Sequence, residues 1–360
     1  WFNDDLLQML CGILTSLNLA ERAGATREMA DGYCSMGVVA GLAGLHALGR
    51  SYLGWSEAAV PIEQATTDLA RTSIVFGMSV GDWERVRRDG TRGCDAFHRL
   101  GDRFLWESCR GGLGFMHLLT GQFAESRRCF EEALESARYG ALQSRLWGYA
   151  GLCAVQLAVD GGVEESILVA YSAELERNVH QTETLVGRGL LGLAALRAGH
   201  PEVALANATQ GLELARRSLP SVYYALWGLA GACEVLLQAA SSHVRPEPAT
   251  GYRHRAHQAC AAFRRFALIV ATAKPRAALM AGREAWLTGG HLRAGRHWRR
   301  GLRHAQRLRM PYDEGLLHLE IALHRSTPDP LRAAHLSRAE SLFTEIGARY
   351  DLRRAREAQP

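Results

Sequence analysis

The chain has 360 residues, 48% hydrophobic and 22% charged, with a formal net charge of +5. Alanine, leucine, glycine and arginine dominate and β-branched runs are short, a composition that argues against a strand-rich fold. No apolar run reaches the roughly 18 residues that a membrane span needs, and the eight cysteines contain no CxxC, so they read as buried thiols of a reducing, cytoplasmic compartment.

In chain order, Asn3 to Ala23 reads as one amphipathic helix with Leu6, Leu7, Leu10, Leu14, Leu17 and Ala20 along one side. It enters almost at the first residue, so we expect a segment of a longer protein that begins inside a truncated repeat. The stretch Leu105 to Ala141 then sets the pattern. Leu113-Gly114, Gly121, Ser126, Phe130 and Ala133 fall at the offsets of a tetratricopeptide-like helix–turn–helix. Small residues let two helices approach, Gly121 turns the chain, and Phe130 fills the space between helices. Such a unit cannot bury its apolar face alone, so it predicts neighbours of the same kind.

Turn glycines at 44, 81, 121, 161 and 199 supply those neighbours, at intervals of 37, 40, 40 and 38 residues. Gly282 and Gly289 repeat the pair later in the chain. The expectation is all-α: a right-handed α-solenoid of about eight TPR-like hairpins with repeats of about 37–40 residues. Repeats would occupy 1–240 and a loop insertion 241–251 (SSHVRPEPATG), with the next helix resuming near Tyr252. Basic repeats ending in a capping helix, Tyr350 to Glu357, would fill 252–360. Between Tyr252 and Arg309 there are 14 Lys or Arg against one acid, Glu284, and the only lysine of the chain is Lys274.

Several strings carry chemical suggestions. Gly77-Met78-Ser79-Val80-Gly81 matches a nucleophile elbow, and Ile74-Val75-Phe76 before it is strand-like, so a hydrolase using Ser79 is a third reading. An elbow needs a parallel sheet, however, and Gly81 already has a repeat role. Gly187-Arg188-Gly189-Leu190-Leu191-Gly192 matches a dinucleotide fingerprint, but these glycines are better explained by close helix packing. A P-loop is excluded, because Lys274 follows Ala273 and not glycine. His254/His257 and His297/His304 show no nearby cysteine or carboxylate in sequence, so no metal is expected.

Two binding surfaces remain. Tyr223, Tyr224 and Trp227 are candidate aromatic anchors of an apolar concave groove, or else inter-repeat core. Arg296, Arg299, Arg300 and Arg303, with Arg307, share one helical side. That side suits nucleic acid or another anion, an acidic protein surface, or plain solvation. The positions of a carboxylate clamp hold Gly111, Gly112 and Phe115 in one repeat and Gly189, Leu190 and Leu193 in another, so no such clamp is expected.

LNLAERAG (17–24), GDWERVR (81–87), LGDRFLWE (100–107) and GQFAESRRCFEEALESAR (121–138) resemble one bacterial family. REAWLTGG (283–290), MPYDEGLLHLE (310–320) and SRAESLFTEIGARYDLRRAR (337–356) do so too. It is the C-terminal TPR-like repeat region of multidomain signal-transduction (STAND-type) ATPases, often fused to class III adenylate/guanylate cyclase domains. The resemblance implies a non-catalytic interaction or sensor arm without a cofactor of its own. Its partners would be a protein or peptide, sister domains of the same polypeptide, or a small-molecule effector. Any ATPase or cyclase chemistry would lie outside these residues.

Overall fold

The computed structural model describes residues 6–60, 69–217, 220–241, 249–326 and 328–359. Among these residues the regular structure is entirely helical. Helix α1 (Leu6–Ala23) leads, and eight hairpins follow. They pair α2 (Thr26–Leu42) with α3 (His46–Ala59), α4 (Leu69–Val80) with α5 (Trp83–Leu100), and α6 (Arg103–Leu119) with α7 (Phe123–Ser136). Next come α8 (Leu142–Val159) with α9 (Glu165–Glu176), α10 (Gln181–Arg197) with α11 (Pro201–Arg217), and α12 (Ala225–Ser241) with α13 (Ala249–Ile269). Then α14 (Lys274–Leu287) pairs with α15 (His291–Arg307) and α16 (Pro311–Leu323) with α17 (Pro330–Ile346), before the single α18 (Arg349–Glu357). This is the α-solenoid that the glycine spacing predicts. The strand-like Ile74-Val75-Phe76 lies inside α4, where repeat packing overrides local β preference. Of the expected insertion at 241–251, residues 242–248 lie outside the described residues. Helix α13 opens at Ala249, three residues ahead of the expected Tyr252.

The two helices of a hairpin differ in sequence because they meet different surroundings. First helices are apolar on most sides: in α12 every residue from Ala225 to Cys233 is buried. Second helices are amphipathic. Helix α15 buries Ala294, Trp298, Gly301 and Ala305, spaced 4, 3 and 4, and gives its other sides to arginine. One locking device recurs. A large ring on the second helix enters the gap left by a glycine on the first, as with Phe130 at Gly114, Trp298 at Gly282 and Phe343 at Gly315. Phe130 also covers Gly151 of the next hairpin, and the Ser126 hydroxyl donates to the Gly114 carbonyl (2.8 Å).

The array curves until it meets itself. The turn of the second hairpin rests on the seventh: Thr272 Oγ1 donates to the Met78 carbonyl (3.0 Å) and Trp83 Nε1 to the Leu308 carbonyl (2.6 Å), across 194 and 225 residues of chain. The turn of the third rests on the eighth, where Pro311 and Ile346 face Gly121 and the Phe123 and Tyr312 rings lie 5.7 Å apart. The turn of the fourth rests on α18, with Tyr350 over Gly161 and Arg349 paired to Asp160. Gly81, Gly121 and Gly161 all have positive φ (77° to 83°), so their flat left-handed turns let the opposing side chains come close.

Gly199 has the same backbone (φ 82°) but open space around it. Gly199→Ala should therefore cost only the left-handed penalty, about 1–2 kcal/mol. Gly161→Ala should cost about 1–3 kcal/mol more, because its methyl must also displace Tyr350. Chemical denaturation measures both; equal losses would mean that α18 does not rest on this turn.

Candidate functional site

Each catalytic-looking string is taken up by packing. Ser79 is buried in the last turn of α4 and donates to the Val75 carbonyl (2.7 Å), the ordinary back-bond of a helical serine. A Cβ on Gly77 would meet Val86 at 2.6 Å. Gly187 to Gly192 lie in the middle of α10. There Gly189 sits against the backbone of Gly228, and Gly231 against that of Gly189, so α10 and α12 cross with almost no side chain between them. The histidine reading needs one correction. His257 Nδ1 lies 2.5 Å from Glu284 Oε1, whose other oxygen takes Arg264 at 2.7 Å, so a carboxylate is present although the sequence spacing hides it. No group of three potential metal ligands occurs among the described residues.

The aromatic anchors come together, but inside the fold. Tyr223, Tyr224 and Trp227 are 7–9% exposed and surround Phe115, with ring centroids 5.9, 6.2 and 4.8 Å from it. Tyr223 and Tyr224 form one wall of a cavity of about 700 Å³, bounded by α2, α4, α6, α8 and the start of α10. Trp227 faces a smaller void of about 40 Å³ behind it. The polar centre of the larger cavity is Glu183, whose Oε1 accepts from Tyr224 OH (2.9 Å) and Gln143 Nε2 (3.1 Å). Burial first, and then the Glu183 charge, push the Tyr224 phenol well above its ordinary pKa of 10, so it remains a donor. Arg71 and Ser108 also line the space, and the buried Ser108 hydroxyl has no hydrogen-bond partner among the described residues. Val38, Ile74, Phe104 and Val222 complete apolar walls. These groups can hold an amphipathic molecule by one polar end.

Sequence reasoning missed a second polar assembly, an ion network among the later first helices. Arg276 pairs with Asp313 and Arg283 with Glu320, both at 2.7 Å and both 37 residues apart. Arg197 faces Glu234 at 3.7 Å with the same one-repeat spacing. Asp351 accepts from Tyr312 OH (2.7 Å) and Arg354 Nη1 (2.7 Å). The signal was available: opposite charges one repeat apart in otherwise apolar helices. Burial pushes the Glu234 carboxyl upward, but Arg197, then Arg283, Arg354 and Arg276, outweigh it and hold it below its ordinary 4.5. The charges balance within the network, which marks it as a structural device.

Arg296, Arg299, Arg300 and Arg303 stand exposed on α15 with Arg307, and none has a carboxylate partner among the described residues. No helix of the described residues is long and apolar enough to cross a membrane. Comparison with protein-family models and with curated proteins finds no match to this chain, so the family resemblance rests on its quoted strings.

Arg283→Met should destabilise the chain by about 3–5 kcal/mol, because Glu320 is left buried without its cation. The double change Arg283→Met/Glu320→Leu should recover most of that loss; a double variant no more stable than the single would refute the pairing. The depressed Glu234 carboxyl contributes stability that is present above pH 4.5 and lost as pH falls below it. Denaturation from pH 6 to 3 should therefore show a smaller acid loss in Glu234→Gln than in the parent.

Proposed function

We propose that this chain is a non-catalytic helical-repeat arm of a cytoplasmic signalling ATPase or cyclase, serving protein interaction and effector sensing. The observation that carries the reading is the 700 Å³ cavity, because its walls come from five successive hairpins and the segment before α12. Each repeat contacts mainly its neighbours. A molecule spanning from α2 and α4 to Glu183 and Tyr224 therefore bears on several inter-repeat angles at once. A ligand shifts such an equilibrium only by its difference in affinity between two curvatures. A cavity that changes volume with curvature supplies that difference. Attached domains would read the result, and the absence of a P-loop lysine fits a division of labour in which nucleotide chemistry lies elsewhere.

Gly111 offers the test. It is buried on the cavity wall, yet a Cβ there meets nothing within 4 Å. Gly111→Leu should fill the space and raise stability by about 1 kcal/mol, since glycine is a poor helix former. Hydrogen exchange with a small-molecule extract should show protection of α6, α8 and residues 180–185 in the parent and none in Gly111→Leu. Identical exchange in both proteins would sink the sensor reading. An esterase activity abolished by Ser79→Ala would replace it with the hydrolase.

A further inference from the structure

The two oxygens of Glu183, at the polar centre of the 700 Å³ cavity, have different surroundings. Oε1 accepts from both Tyr224 OH (2.9 Å) and Gln143 Nε2 (3.1 Å). Oε2 accepts from nothing among the described residues, yet it is not one of the polar atoms sealed inside the fold. The residue is 5% exposed and lines the cavity, so this open oxygen faces the enclosed space. Its charge also lacks an ion pair. Asp89, Asp313, Glu320 and Asp351 are buried too, and each has an arginine at 2.7 Å. Glu183 has no such partner among the described residues; it lies in the first turn of α10, whose positive end favours an anion. Glu107, the other buried acid without a cation, is not on the cavity wall. Beside Glu183 the wall is aromatic. Phe104, Trp147, Tyr224 and Phe115 line it in a continuous run, with successive ring centroids 6.1–6.2 Å apart. The bond from Tyr224 OH sets the carboxylate at the edge of that run.

We infer that the cavity binds an organic ammonium compound, its nitrogen on Glu183 Oε2 and its apolar body against Phe104, Trp147, Tyr224 and Phe115. The inference rests on the sensor reading of this cavity and gives its effector a chemical class. An ammonium N–H fills the one open acceptor and supplies the missing cation in the same contact. The aromatic faces attract a cation and cover the hydrocarbon attached to it. The volume matches that of pockets for molecules of this kind. A carboxylate ligand fits less well. Its anchor would be Arg71, the one arginine among the described residues of the wall, and Arg71 already has an interaction of its own. Such a ligand would also bring a second negative charge into the cavity and leave Glu183 unpaired.

Calorimetry with tryptamine, tryptophol and indoleacetate is the test, because the three share an indole body and differ in the terminal group. The parent should bind tryptamine at one site, about tenfold more tightly than tryptophol, the difference between a charge-assisted and a neutral hydrogen bond. Indoleacetate should bind more weakly than either. Glu183→Gln keeps an acceptor for Tyr224 and Gln143 and should bring tryptamine to within about twofold of tryptophol. Gly111→Leu, which fills the cavity, should bind none of the three. The comparison of ligands in the parent needs no variant to fold, and melting temperatures check the two variants. If tryptophol or indoleacetate matches tryptamine in the parent and Gly111→Leu abolishes binding, the ammonium class is overturned while the cavity remains a ligand site. A tryptamine preference that survives Glu183→Gln or Gly111→Leu places the amine elsewhere and overturns the inference too. Binding of none of the three by the parent also overturns it, and the sensor reading is then decided separately by hydrogen exchange with the extract.

Discussion

Three left-handed turns decide how this array of hairpins is arranged in space. At Gly81, Gly121 and Gly161 the backbone turns without presenting a side chain, and Leu308, Pro311 with Ile346, and Tyr350 settle on those flat surfaces. Any residue with a Cβ would carry both backbone strain and a clash at these points. Because the contacts join hairpins far apart in the chain, the first helices end up facing one another across a shared interior. The 700 Å³ cavity and the ion network both lie along those first helices.

The interior then imposes its own chemistry. Where helices cross closest, glycine faces glycine, as at Gly189, Gly228 and Gly231, and the carbonyls and α-carbons of α10 and α12 pack directly. Where the space is wider, charge enters in compensated pairs at one-repeat spacing, such as Arg276 with Asp313 and Arg283 with Glu320. Buried pairs of this sort contribute less to net stability than to register, since a slipped neighbour leaves both charges unpaired.

Much of this was legible in the sequence, for a physical reason. Each hairpin repeats the same local problem, so glycine spacing, the Phe130 plug and the polar sides of second helices recur at a readable period. Contacts that join one superhelical turn to the next have no period, and nothing near Trp83 announces the Leu308 carbonyl. For the same reason Tyr223 and Tyr224 could be seen as paired rings but not as the wall of an enclosed space. Glu183, Gln143 and Ser108 could not be seen at all. The His257–Glu284 pair was hidden because its partners sit on α13 and α14. The Arg276 and Arg283 pairs were readable in principle, had opposite charges been sought one repeat apart.

The bond from Trp83 to Leu308 alters what kind of folding problem the chain poses. An open solenoid behaves as a one-dimensional array, in which stability is summed over neighbours and assembly can start anywhere. A contact across 225 residues adds loop-closure entropy to be overcome late, after most hairpins have formed. It also ties the fate of early hairpins to that of late ones. Loosening of α18 exposes Gly161 and Asp160, so a disturbance there is felt at the fourth hairpin without passing through the intervening repeats.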